Sequence, residues 1–136
     1  MTRITVDHVD ADAFTIAVRD HRVTVDQPVS DGGADAGPTP TELFVASLAG
    51  CVAYYARRYL ARHDLPQEGL RVIADYSMAA RPARVAQVTV QLVVPAGVPD
   101  DRRSGLLAVA AHCTVHNSLT TPPDVSIELT EALLSA

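Results

Sequence analysis

Apolar residues fall at every second position through the first 26 residues, in RITVDHV, AFTIAVR and HRVTVDQP. A period of two puts those side chains on one face of an extended chain. The region is therefore predicted as three short strands turning at Asp10–Asp12 and near Asp20. The alternation stops in QPVSDGGADAGPTP, where Pro, Gly, Ser and Asp mark a loop. The loop is longer than a hairpin requires, and ordered loops of that length often carry function.

The loop ends at a helix start. Thr39 is placed as N-cap, Pro40 as first helical residue, and Glu42 as the partner that closes a capping box. The helix is predicted to reach about His63, with Arg57, Arg58, Arg62 and His63 suited to its C-terminal dipole. From Leu43 to Tyr55 it is apolar nearly all round, the pattern of a helix buried on several sides.

Beyond it, LRVIADYSMAA and ARVAQVTVQLVVP read as a second strand pair turning near Arg81–Pro82. A second helix is predicted from Pro99–Asp100, with Leu106, Leu107, Ala110 and Cys113 on one stripe. VHNSLTTPPD reads as a loop and VSIELTEALL as a last strand with a short tail. The order β-β-β, helix, β-β, helix, β gives an α+β class in one domain, residues 1–136. Such small sheets cover only one side of the central helix. Its remaining apolar surface predicts an obligate homodimer packed through that helix.

Composition narrows the function classes. Hydrophobic residues make up 48% of the 136-residue chain, but there are only two Phe, four Tyr and no Trp, so the core is aliphatic. A formal charge of −5 argues against nucleic-acid binding, which needs a basic face. The N-terminus has no signal pattern, and no apolar run approaches a membrane span, so a cytoplasmic protein without membrane contact is expected. In that compartment two cysteines form no disulfide scaffold; they are inert packing or redox chemistry.

Cys51 lies mid-helix in LAGCVAYY, where a free thiol commonly serves as a small hydrophobe. It stands too far along the helix to be activated by the N-terminal dipole, so reactivity requires a cation from elsewhere in the fold. Cys113, at the end of the second apolar stripe, reads by itself first as a small core residue; a second cysteine in the chain adds the reading of a thiol that resolves a sulfenic acid. His112, Cys113 and His116 offer a competing metal reading, but a zinc site needs three or four ligands and the other histidines are remote in sequence. Glu42 and Cys51 are nine residues apart, about 180° around a helix and about 13.5 Å along it, so capping is the better role for Glu42. Arg19 and Arg22 either end a strand in solvent or bring a guanidinium to a thiolate.

DQPVSDGGADAGPTPTELFVASLAGCVAYYARRYLARHDL, followed after a gap by CTVHNSLTTPPDVSIEL, resembles the OsmC/Ohr family of thiol-dependent peroxidases. The resemblance implies an intertwined α+β homodimer, with antiparallel sheets wrapped around two central long helices and active sites at the subunit interface. It matches Cys51 to the peroxidatic cysteine, Cys113 to the resolving cysteine and, through VRDH, Arg19 to the arginine beside the thiolate. It implies reduction of organic hydroperoxides, with hydrogen peroxide a poorer substrate, through a Cys51 sulfenic acid and a Cys51–Cys113 disulfide. An external dithiol, lipoyl or another thiol, then restores the pair; no metal or cofactor is required. The chain departs from the family's organic-hydroperoxide reductases at Thr41, where they carry Glu. PTPTEL instead resembles a separate OsmC-like branch. The alternative is a dimeric protein that binds a small apolar molecule and whose cysteines are inert.

Overall fold

A computed structural model describes residues 1–133. Three strands, β1 (Ile4–Asp10), β2 (Ala13–Val18) and β3 (His21–Val25), form an antiparallel sheet in the order β1-β2-β3. The turns fall where the polar breaks predict. The register pairs Ile4 with Val18, Val6 with Ile16, Ile16 with Val23 and Phe14 with Val25, so one face is apolar except for His8 and His21 at its margins. Yet these strands make their main contacts with one another, and Ile4, Val6, Phe14 and Val23 stay exposed.

The connecting loop is organised around Asp26, a buried side chain. Its carboxylate accepts backbone N–H bonds from Gln27 at 2.7 Å, Ala36 at 3.0 Å and Ala34 at 3.2 Å. The Asp26 N–H donates to the Pro38 carbonyl at 3.2 Å. The loop thus folds back on the end of β3, so closely that a Cβ on Gly37 would collide with the Thr24 carbonyl. Bonding from Ala36 above all, then Gln27, holds the Asp26 carboxyl below the ordinary value of 3.8 against the opposing effect of burial. A depressed folded-state pKa stabilises the fold above the unfolded value, and that contribution disappears as pH falls through the folded one. Asp26→Asn is accordingly expected to lower the melting temperature at neutral pH. The gap to wild type should narrow below pH 3.8, as melting curves recorded across that range will test.

Thr39 and Glu42 then start α1 (Pro40–Arg62) with the predicted capping box. Thr39 Oγ1 accepts from the Glu42 N–H at 3.0 Å, and Glu42 Oε1 accepts from the Thr39 N–H at 2.8 Å. The Glu42 carboxylate is therefore engaged at the helix start. Val45, Leu48, Val52, Ala56 and Leu60 form the buried stripe of α1 at spacings of three and four. They face a hairpin of β4 (Arg71–Ala79) and β5 (Arg84–Val93), whose Val72, Val88, Val90 and Leu92 pack on the core, and α2 (Asp100–Ala111). Gly105 of α2 makes room for Tyr59 of α1, whose hydroxyl would lie 2.6 Å from an added Cβ. The opposite face of α1 leaves Phe44 and Tyr54 exposed. The antiparallel sheets and helices give the expected α+β class.

Three expectations need correction. VHNSLTTPPD is not all loop, because Thr114–Thr120 forms a short helix, α3. Its β-branched, Ser and Asn residues are weak helix formers, so composition conceals it. Leu107 leaves the buried stripe of α2 and is 62% exposed. VSIELTEALL pairs with no strand over its described part, and Leu134 lies outside the described residues. Val125, Ile127 and Leu129 are 77, 93 and 100% exposed, a strand-like alternation that joins neither sheet among the described residues.

Candidate active site

α1 carries Cys51 on the side toward α3, and the end of α2 delivers Cys113 to the same place. Cys113 is fully buried within the core cluster, and the partly buried Cys51 packs against that cluster. The chain between the two thiols, 62 positions apart in sequence, is thus folded into a loop that closes on itself. Cys113 is the N-cap of α3: its Sγ accepts the His116 N–H at 3.4 Å, where a Ser or Asp oxygen would ordinarily stand. The Val115 N–H donates to Cys51 Sγ at 3.5 Å. Two successive backbone donors therefore address the two sulfurs separately.

The thiols differ in environment. Burial pushes the Cys113 thiol above its ordinary value, and hydrogen bonding and charge from Cys51 push it further in the same direction. The His116 and Val115 N–H groups oppose that rise. Cys113 is thus a protonated, enclosed thiol at neutral pH, next to a more accessible one. This arrangement suits an outer sulfur that meets an oxidant and an inner sulfur that attacks the product.

The histidines of HCTVHN have local work. Their Nδ1–H groups donate to carbonyls of α2, His112 to Ala108 at 2.7 Å and His116 to Ala111 at 2.5 Å. They satisfy acceptors that a helix end leaves open. Among the described residues, no group of three His, Cys, Asp or Glu is placed to hold a metal ion.

Arg19 occupies the exposed β2–β3 turn with a left-handed φ of 51°. The arginine hydrogen bonds among the described residues go to His21, Gln67, Ala80, Pro82 and His63, none to a sulfur. Cys51 and Cys113 are brought together within the chain, whereas Arg19 remains on a separate sheet. Two neighbours of the thiols escaped the sequence reading. Tyr55, one turn after Cys51, meets Thr114, the residue after Cys113, with 2.7 Å between Tyr55 Oη and Thr114 Oγ1. The spacing of four between Cys51 and Tyr55 was the available signal.

An apolar cleft of about 240 Å³ lies against the same core, and neither cysteine lines it. Leu48 and Val52 of α1, Val88, Val90 and Leu92 of β5, and His116 of α3 line it. No helix among the described residues is long and apolar enough to cross a membrane.

The OsmC-like protein family model matches residues 32–128. No match was found among functionally curated proteins. Among solved structures, the chain resembles a Psychrobacter arcticus protein provisionally described as osmotic stress induced and of the detoxification response. The TM-score is 0.80 at 22% identity, covering 87% of this chain and 88% of that one. An OsmC-like protein from Mycoplasma pneumoniae aligns with TM-score 0.76 at 16% identity, covering 90% and 89%. An organic hydroperoxide resistance protein from Elizabethkingia anophelis aligns with TM-score 0.68 at 17% identity, covering 90% and 91%.

Proposed function

Because the chain belongs to the OsmC-like protein family, we propose that it is a cytoplasmic, thiol-dependent peroxidase that reduces organic hydroperoxides, and hydrogen peroxide less well. The observation that carries this reading is the meeting of the chain's two cysteines, one enclosed and one partly accessible. The Cys51 thiolate attacks the terminal peroxide oxygen, the O–O bond breaks, and the alcohol leaves with a proton. Cys113 then attacks the Cys51 sulfenic sulfur, releasing water and forming the disulfide. An external dithiol, lipoyl or another, takes up the oxidation by exchange and returns both thiols. In this reading the apolar cleft between α1, β5 and α3 takes the organic group of the hydroperoxide.

The working unit in this reading is an intertwined homodimer. Three exposed apolar surfaces support it: one face of the β1–β3 sheet, the Phe44–Tyr54 side of α1 and the alternating segment from Val125 to Leu129. A second copy would cover them and complete the site with Arg19 from its own turn, supplying a cation to a thiol that no arginine bonds among the described residues.

Alkylation separates this reading from a dimeric binding protein with inert cysteines. Iodoacetamide at neutral pH is expected to modify Cys51 in the folded protein and spare Cys113, as peptide mapping will resolve. Two unreactive thiols would favour the binder.

A further inference from the structure

We propose that Tyr55 and Thr114 form a latch that sets how readily Cys51 and Cys113 join, which makes them positioning residues for the redox step. Tyr55 follows Cys51 by four residues and so projects from nearly the same face of α1. Its Oη lies 2.7 Å from Thr114 Oγ1. Among the described residues this is the one side-chain to side-chain hydrogen bond between α1 and α3. Three consecutive residues at the start of α3 thus have linked tasks. Cys113 carries the enclosed sulfur, Thr114 ties the segment to α1, and Val115 sends its N–H to the Cys51 sulfur at 3.5 Å.

α3 needs such a tie. None of its seven residues is buried and Val115 alone among them packs on the core cluster, so the apolar packing that holds most helices in place is slight here. The Tyr55 ring is itself held, edge-on to Tyr54 at 5.4 Å and with the Arg58 guanidinium 5.9 Å from its centre. An ordered phenol on a long helix therefore ties α3 to α1, while His116 and Asn117 tie it to the end of α2 through Ala111 and His112. Without the bond, the Cys113 segment samples more positions, and the effective concentration of one sulfur at the other falls.

The proposal deepens the peroxidase reading, because the latch matters to turnover only if the pair is redox-active. Its test uses no peroxide. The Cys51 and Cys113 thiols and oxidised dithiothreitol exchange to give the Cys51–Cys113 disulfide and reduced dithiothreitol. Both thiol hydrogens pass to the reagent, so the reaction balances.

The full chain is equilibrated across ratios of oxidised to reduced dithiothreitol, and the disulfide fraction is read by mass spectrometry after acid quenching. Tyr55→Phe and Thr114→Val are each expected to lower the equilibrium constant by about five-fold, the scale of one hydrogen bond. Thr114→Ser keeps the hydroxyl and should stay within about two-fold of wild type. The Tyr55→Phe/Thr114→Val double variant should lose no more than either single variant, because both remove the same bond. A wild-type constant in Tyr55→Phe, a Thr114→Ser loss equal to that of Thr114→Val, or a double loss equal to the product of the single losses overturns the latch. A wild-type chain that forms the disulfide but consumes no hydroperoxide overturns the peroxidase reading alone. A pair that bonds at no ratio overturns both.

Discussion

Cys51→Ser is expected to abolish dithiol-dependent hydroperoxide consumption, lowering the rate by on the order of 10³-fold or more, as loss of a covalent nucleophile does. A serine hydroxyl stays protonated at neutral pH and has no sulfur to oxidise. The substitution should leave the fold intact, because Leu48, Val52, Ala56 and Leu60 carry the buried packing of α1 while Cys51 sits at its margin. Stopped-flow loss of an organic hydroperoxide, together with an unchanged melting curve, checks this expectation. A variant that retains wild-type consumption would remove Cys51 from the chemistry.

Cys113→Ser is expected to separate oxidation from turnover. The first reaction at Cys51 should proceed, consuming one equivalent of hydroperoxide per chain. Turnover with a lipoyl dithiol should fall by at least about ten-fold, since the neighbouring thiol no longer resolves the sulfenic acid at high effective concentration. Serine is a preferred N-cap and can accept the His116 N–H now bound to Cys113 Sγ, so α3 should persist. A dimedone-trapped sulfenic acid on Cys51 in this variant is the product to look for. Steady turnover at the wild-type rate would show that Cys113 has no resolving role.

The sequence made some elements legible because their physics is local. The strand alternation of the first three segments needs only neighbouring residues, and Thr39, Pro40 and Glu42 specify a helix start through contacts within one turn. The separation of Glu42 from Cys51 also follows from helix geometry alone. Other features depend on tertiary partners. α3 has poor intrinsic propensity and forms where Cys113 caps it and Thr114 meets Tyr55, the second a contact spanning 59 positions of chain. The segment VSIEL has the alternation of a strand, but pattern does not supply a partner, and among the described residues it pairs with neither sheet. Arg19 presents the same difficulty at the site. The residue is plain in the sequence, while its relation to a thiol on another element depends on how copies of the chain assemble.

The organisation also explains why the thiols differ although both are cysteines within or beside helices. The end of α2 inserts Cys113 into the core, where burial disfavours its ionised form, and α1 leaves Cys51 partly open. Capping of α2 carbonyls by His112 and His116 fixes the turn that makes this placement.

The most direct measurement is to treat the reduced wild-type chain with one equivalent of an organic hydroperoxide, quench it with acid, and record intact mass and a peptide map. The expected result is loss of two hydrogens, Cys51 joined to Cys113 within one chain, and one equivalent of the corresponding alcohol. Two free thiols beside unconsumed hydroperoxide would contradict a peroxidase built on this pair.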